Sequence, residues 1–294
     1  SYVDRRMQDN GHETGRTQMT EDLISLKRDA HGVATVTMNN PNKHNAFDDQ
    51  IIAQLTSAFE KIAADASVRV VILASTGKSF SAGADLNWMK RMADYSYEEN
   101  LQDAQALANM LRTLNFIPQP TIARVQGAAF GGAVGLVSCC DMAVGSSDAL
   151  FSLSEVKIGL IPATISPYVV AAIGSRASRR YFTTAERFSS ETALKLGLLS
   201  EICAPDKLDE TIYQLVNALL ENSPGAVKAA KSLVFDVAEQ GINNDGSSEP
   251  VFVMTSERIA SIRVSEEGRE GLEAFLEKRA PSWKADNIRQ TPEQ

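Results

Sequence analysis

The spacing of apolar residues along the first two thirds of the chain predicts short strands that alternate with helices. Residues 23–27 and 33–38 alternate apolar and polar side chains, as two paired strands do. Residues 51–62 repeat apolar side chains at helical spacing, whereas residues 68–73 and 122–125 are compact apolar runs that indicate buried strands. Strands and helices that alternate in this way are typical of an α/β core.

Local signals mark where two helices of this core begin. Asp48 or Asp49 can cap the helix over residues 51–62, and Ser96 with Glu99 three positions on forms a capping box. The side chains that the second helix is expected to bury are Leu101, Leu107, Met110, Leu111 and Leu114.

The last part of the chain is predicted to be all helical. Ser223 and Pro224 begin a helix that ends at Gly241, and a polar loop follows. Residues 251–264 and 266–279 then carry two more helical patterns. A mixed first part and a helical last part indicate a core with a helical appendage.

These patterns divide the chain into three segments. Residues 1–18 are polar and lack an apolar signal-peptide core, so they are expected to form a disordered extension. Residues 19–222 make the core, and residues 223–294 make the helical region, with Trp283 docked and the tail around it frayed.

Charge and composition limit the partners. The 294 residues carry a net charge of −8, which argues against binding to nucleic acid or to anionic membranes. The longest apolar stretch, residues 158–174, contains two prolines and is expected to be a buried loop and helix, not a membrane span. Cys139, Cys140 and Cys203 form no disulfide framework and indicate a reducing, cytoplasmic setting.

Residues 121–167 hold the candidate chemistry. A short apolar strand leads into a small-residue turn at residues 127–132, and an apolar helix follows over residues 133–140. This order points backbone N–H groups at an anion or a developing oxyanion. Glu155 follows among apolar residues and is a candidate general acid/base. A tight packing turn beside a surface glutamate explains the same residues equally well.

Other glycine-rich motifs fit poorly. Ala129 stands where a dinucleotide-binding turn needs its second glycine, and Ile72 stands where a phosphate loop needs its first. No cysteine pair has metal-ligand spacing, and the three histidines are scattered. Dinucleotide, phosphate-loop and metal chemistry are therefore not expected.

Two motifs together resemble the enoyl-CoA hydratase/isomerase (crotonase) superfamily. They are residues 81–86, which read SAGADL, and residues 125–132, which read VQGAAFGG. The resemblance extends from about Leu23 to Trp283, with its landmarks in order. The further landmarks are residues 40–46, 140–141, 154–162 and 270–279.

The resemblance implies a fold, a substrate and a catalytic arrangement. The fold would be a crotonase-type spiral of ββα turns with a C-terminal helical region that builds homotrimers or homohexamers. The substrate would be an acyl-CoA thioester, so that CoA arrives with the substrate and no separate cofactor is needed. The N–H groups of Ala84 and Gly132 would hold the thioester oxygen while an enolate develops, and Glu155 would be the general acid/base.

The resemblance also implies where CoA binds. Lys43 and Lys278 would supply the local positive charge that an acidic protein needs for an anionic ligand. Both could equally be solvated surface lysines. The residues placed at CoA are Lys43, His44, Ala46, Ala82, Asp85, Leu86, Phe275 and Lys278.

The chain departs from the two-glutamate pattern of well-known hydratases. Gly135 occupies the position of one glutamate, Glu155 matches the other, and residues 163–168 replace a glycine-rich run. Glu155 must then serve as both acid and base, or a hydroxyl must hold the attacking water. The candidate hydroxyls are those of Ser152, Ser154, Thr164 and Ser166.

Two reactions remain open on these residues. A single glutamate suffices for double-bond isomerisation, in which one base moves a proton between carbons. Residues 131–136 and 161–168, however, look most like the bacterial methylglutaconyl-CoA hydratases of leucine breakdown, and are also similar to the isohexenylglutaconyl-CoA hydratases of acyclic terpene breakdown. The hydratase is favoured. Residues considered for the acyl pocket are Trp88, Met89, Met92, Tyr168 and Val169.

Two non-enzymatic functions are alternatives to catalysis. One animal relative binds RNA and is linked to a lysine-rich helix, but residues 97–114 here carry Glu98, Glu99 and Asp103 against Arg112 alone. RNA binding is therefore not expected. An acyl-CoA-binding protein that has lost activity with the second glutamate is the other alternative.

Overall fold

The computed structural model describes residues 22–241 and 249–284. Two sheets and seven helices form a mixed α/β core in this part of the chain, and three further helices follow, as the sequence predicts. The expected disordered extension, most of the polar loop after Gly241 and the tail beyond residue 284 lie outside the described residues.

The larger sheet has six strands, of which the outermost pair is antiparallel and the others are parallel. Its strands are β1 (Ile24–Arg28), β2 (Val33–Met38), β3 (Val70–Ser75), β5 (Thr121–Val125), β7 (Met142–Ser146) and β10 (Glu201–Cys203), which lie side by side in that order. All six residues of β3 are buried, because a parallel strand in the middle of a sheet is covered on both faces.

The smaller sheet has four short strands. They are β4 (Ser81–Ala82), β6 (Ala128–Phe130), β8 (Leu150–Ser152) and β9 (Phe188–Ser189). The first three are parallel and the last is antiparallel to its neighbour. Strands of two or three residues show no alternation, so the sequence pattern predicts none of the four.

Helices cover the sheets and build the C-terminal region. In the core they are α1 (Asp49–Ala63), α2 (Leu86–Asp94), α3 (Tyr97–Asn115), α4 (Gly132–Cys139), α5 (Ser166–Thr184), α6 (Ser190–Leu196) and α7 (Leu208–Leu220). The C-terminal helices are α8 (Pro224–Gln240), α9 (Glu249–Val264) and α10 (Glu266–Leu276). None of the described helices is both long enough and apolar enough to cross a membrane.

The predicted helix starts are confirmed. The Asp48 side chain accepts a hydrogen bond from the N–H of Ile51, and Ser96 and Glu99 cap each other's backbone at the start of α3. The prediction for the buried face of α3 is wrong at Leu101, which is 42% exposed near the beginning of the helix. The helix packs fully against the core only from Met110 onward.

Half-buried contacts fasten the C-terminal region to the core. The ammonium of Lys231 on α8 lies 2.7 Å from a carboxylate oxygen of Asp141 and donates to the carbonyl of Gln119. The indole N–H of Trp283 donates to the carbonyl of Glu221, so the predicted docking of this side chain is confirmed.

Candidate active site

The register of three parallel strands brings three distant segments of the chain together. Ala82 at the end of β4 is paired with Phe130 at the end of β6, and Phe130 is paired with Ser152 at the end of β8. Neighbouring strands lie about 4.8 Å apart, so the segments that leave them at the same end emerge as neighbours. These segments carry Ala84, Gly132 and Glu155, which are the three predicted catalytic positions.

The N–H of Ala84 points away from the neighbouring segment of the chain, which contains Phe47. Phe47 donates its N–H to the carbonyl of Gly83 at 2.8 Å and accepts from the N–H of Asp85 at 2.7 Å. Because N–H groups alternate direction along an extended segment, the N–H of Ala84 faces the opposite side. It donates no hydrogen bond to any described residue.

The turn at Gly131 and Gly132 supplies a second unused donor. Gly131 has φ 60° and ψ −121°, a conformation that strongly favours glycine, and its own N–H donates to the carbonyl of Ser152. Gly132 is the first residue of α4, where an N–H has no partner inside the helix. Within the described residues its N–H is unpaired, and the helix dipole behind it favours negative charge.

Glu155 places a carboxylate beside this turn. One of its oxygens would lie 3.1 Å from a Cβ added at Gly131, and the other is buried without a hydrogen-bond partner in the described structure. Burial raises the pKa of the Glu155 carboxyl above its ordinary value, because the charged form loses hydration. An unpaired carboxylate with a raised pKa beside free N–H groups is the arrangement that a general acid/base needs.

The three positions line one cavity of about 480 Å³. Its wall is mainly apolar and includes Trp88, Met89 and Met92 on α2, three of the residues considered for the acyl pocket. The indole N–H of Trp88 donates to Asp103 on α3, which holds the ring in place. The other two residues considered for the acyl pocket do not line this cavity, because Tyr168 lines a different one and Val169 is fully buried in the core.

Most of the residues predicted to bind CoA lie together at one edge of this cavity. The N–H of Ala82 donates to the carbonyl of His44, and the ammonium of Lys43 lies 3.3 Å from Asp85. Burial alone would raise the pKa of Asp85, but hydrogen bonds from Trp88, Lys43 and Asn87 and the charge of Lys43 lower it. Ala46 is half-buried in the same turn as His44, and Leu86 begins α2 with 73% of its surface exposed.

Two of the predicted CoA residues lie elsewhere in the described chain. Phe275 is near the end of α10 and Lys278 lies just beyond it, and neither lines the cavity that contains Glu155. Phe275 is 81% exposed, although it is a large apolar side chain. Sequence resemblance gives these residues a role but no position relative to the core.

The position of the missing glutamate is filled by a residue that the sequence analysis did not single out. A Cβ added at Gly135 would lie 2.3 Å from Cγ2 of Ile165 and 2.8 Å from its Cβ. Ile165 is 2% exposed and lines the cavity. Glycine at 135 and isoleucine at 165 are therefore sterically matched, and no larger residue fits at 135 unless Ile165 moves.

Two of the four candidate hydroxyls remain available. Ser166 donates to the carbonyl of Ala163 at 2.7 Å, and Ser152 is buried and does not line the cavity. Ser154 and Thr164 do line it, and neither hydroxyl is hydrogen-bonded to a described residue.

Comparison with known proteins shows the family to which the chain belongs. The family model described as enoyl-CoA hydratase/isomerase matches residues 28–286, most of the chain. The chain belongs to the enoyl-CoA hydratase/isomerase family. It is an enzyme of the hydratase/isomerase type, and an acyl-CoA thioester is the substrate consistent with this family.

Relatives and solved structures of the enoyl-CoA hydratase/isomerase family agree over nearly the whole chain. A crystal structure of an enoyl-CoA hydratase from Shewanella pealeana is 46% identical, with a TM-score of 0.84 over 89% of this chain and 96% of that one. A putative enoyl-CoA hydratase of Thermus thermophilus is 32% identical over 85% of this chain and 97% of that protein. The 2,3-dehydroadipyl-CoA hydratase of Escherichia coli is 28% identical over 90% of this chain and 99% of that protein.

The unused N–H of Gly132 can be tested by a matched pair of variants. Gly132→Pro removes the N–H at the first position of α4, where proline is well tolerated, and is expected to lower kcat by about 100-fold or more. Gly132→Ala keeps the N–H and adds the same Cβ, 3.3 Å from the Phe47 ring, so it controls for that contact. Equal kcat values in the two folded variants would contradict the assignment.

The raised pKa of Glu155 predicts a pH-dependent stability change. The folded protein binds this proton more tightly than the unfolded chain does, so the ionised carboxylate destabilises the fold as pH rises through the raised pKa. Glu155→Gln is expected to raise the Tm at pH 8, with a gain that vanishes toward about pH 4.

A second glutamate supplies the control for this measurement. The hydrogen bond from Arg180 lowers the pKa of Glu186, so Glu186→Gln is expected to leave the Tm unchanged or lower it at pH 8. A lower Tm for Glu155→Gln than for wild type at pH 8 would show that the carboxylate is not destabilising.

Proposed function

We propose that the chain adds water across the 2,3 double bond of a branched enoyl-CoA of the 3-methylglutaconyl-CoA type. The observation that carries the proposal is the Glu155 carboxylate, one oxygen of which is buried without a hydrogen-bond partner, in the same cavity as the N–H groups of Ala84 and Gly132, which are also unpaired in the described residues. Oriented donors stabilise an enolate far better than they stabilise the neutral thioester, which is what lowers the barrier.

One carboxylate can complete the reaction in two steps. Glu155 is ionised at the start and takes a proton from water while the water oxygen bonds to C3. The electrons of the double bond move through C2 to the thioester oxygen, and the N–H groups of Ala84 and Gly132 hold the resulting enolate. Glu155 then returns the proton to C2, so that one water is added and the carboxylate is regenerated.

The electrostatics of the cavity support this cycle. A carboxyl with an ordinary pKa is a weak base near neutral pH, and burial brings the pKa of Glu155 closer to the working range. The apolar wall around Trp88 and Ile165 also lowers the local polarity, which strengthens the hydrogen bonds to the enolate.

The proposed acyl group carries a second carboxylate, and one side chain suits it. Lys157 is the single cationic residue among the described residues that line the cavity. A glutaconyl-type chain would extend its distal carboxylate toward this ammonium and place its branch on the apolar wall. The similarity to a hydratase named for 2,3-dehydroadipyl-CoA, also a dicarboxylic thioester, supports this choice.

The proposed assembly is a homotrimer or homohexamer. Large apolar side chains are exposed on the described C-terminal helices, where monomeric proteins rarely leave such a surface. They include Phe252, Val264, Leu272, Phe275 and Leu276. CoA contacts by Phe275 and Lys278 remain part of this proposal, together with those by Lys43 and its neighbours.

A double-bond isomerase is the second candidate function. It is favoured by the fit of Ile165 into the space above Gly135, which leaves no second carboxylate to activate water. In this reaction Glu155 would take a proton from C2 of a 3-enoyl-CoA and return it to C4, with the same enolate held by the same donors.

A panel of thioesters tests the proposal. We expect 3-methylglutaconyl-CoA to lose its conjugated absorbance faster than crotonyl-CoA, and Lys157→Met to reduce that preference by raising KM for the dicarboxylic substrate only. Faster turnover of isohexenylglutaconyl-CoA would place the enzyme in terpene breakdown. Absorbance gained from a 3-enoyl-CoA, with none lost from the conjugated substrates, would contradict the hydratase and establish the isomerase.

A further inference from the structure

We infer that the Thr164 hydroxyl holds the attacking water for Glu155 in place of the missing second carboxylate. The inference rests on the proposed hydratase function. A bound water needs two or more polar partners to keep a fixed position, and Glu155 alone supplies one side.

Thr164 has a hydroxyl that is available inside the Glu155 cavity. It is half-buried, lines the Glu155 cavity and makes no side-chain hydrogen bond to any described residue. A hydroxyl both donates and accepts, so it can accept from a water whose other proton points at Glu155. It needs no charge of its own, because Glu155 removes the proton.

Backbone hydrogen bonds hold Thr164 and Glu155 on one folded segment. The N–H of Leu160 donates to the carbonyl of Glu155 at 3.1 Å, after the chain reverses at Gly159 with φ 77°. The N–H of Ala163 then donates to the carbonyl of Ile161 at 2.9 Å. These turns fix the backbone between Glu155 and Thr164, so the two side chains are not on independently moving loops.

The residue next to Thr164 explains why the hydroxyl lies where it does. Ile165 fills the space above Gly135, which is the position of the absent glutamate. That packing anchors the start of α5 and presents Thr164 to the cavity one residue earlier in the chain. Ile165 therefore occupies the volume that a glutamate side chain at position 135 would take. Thr164 supplies part of the polarity that such a glutamate would bring to the cavity.

Ser154 is the alternative water holder, and its position is less suitable. It directly precedes Glu155 in the chain and is exposed, whereas Thr164 is half-buried. A water beside an exposed hydroxyl is more open to exchange with solvent than one beside a half-buried hydroxyl. Ser154→Ala is therefore the matched control, since it removes a free hydroxyl from the same cavity.

Three variants and two assays test the assignment. Hydration of 3-methylglutaconyl-CoA, or of the panel substrate that the wild type hydrates fastest, gives kcat and KM for Thr164→Val, Thr164→Ser and Ser154→Ala. Exchange of the C2 protons of saturated 3-methylglutaryl-CoA in D₂O gives the activity of Glu155 and the oxyanion donors without an attacking water.

We expect Thr164→Val to lower kcat for hydration by about tenfold or more, with KM nearly unchanged and C2 exchange at the wild-type rate. Thr164→Ser restores the hydroxyl and is expected to recover most of kcat, while Ser154→Ala stays close to wild type. A wild-type kcat in Thr164→Val, or an equal loss of exchange and hydration, would overturn the inference. A wild type that hydrates no substrate would instead overturn the proposed function as well, and this result is visible before any variant is made.

Discussion

The site depends on one constraint: polar groups must be kept unpaired inside an apolar cavity. The in-register ends of β4, β6 and β8 achieve this, because their backbone groups bond sideways within the sheet and leave the following N–H groups of Ala84 and Gly132 without partners among the described residues. A buried donor or acceptor without a partner costs about 1–3 kcal/mol. The rigid sheet and the helix packed behind it offset that cost, so that the donors are already oriented when an enolate forms.

The same constraint applies to Glu155, which is a side chain that can carry a charge. Within the described part of the chain its second oxygen has no hydrogen-bond partner. Burial raises the pKa of the Glu155 carboxyl, which makes it a poorer stabiliser of the fold and a better base for chemistry. Because Ile165 fills the space above Gly135, the described residues place no second carboxylate in this cavity. The choice between hydration and isomerisation then depends on whether the surrounding groups can direct a water, and the family membership alone leaves both reactions possible.

Sequence reasoning succeeded where the determining interactions are local. The caps at Asp48 and Ser96 depend on residues three positions away, so the pattern predicts them directly. The family resemblance indicates Ala84, Gly132 and Glu155 as candidate catalytic positions, but the register that brings them together comes from strands too short to leave a pattern. Gly135 and Ile165 are thirty positions apart in the chain, and only the steric fit between them links the two residues. The position of Phe275 depends on how the C-terminal helices pack. Neither leaves a signal in a single sequence.

The central claim is that Glu155 performs the proton transfers and does not merely help to bind the substrate. The most direct measurement compares Glu155→Gln with wild type in both turnover of 3-methylglutaconyl-CoA and affinity for a saturated acyl-CoA. The account predicts that turnover falls by about 100-fold or more, since general acid–base catalysis typically contributes that much, while affinity changes little. Unchanged turnover, or a loss of affinity large enough to explain the loss of turnover, would contradict it.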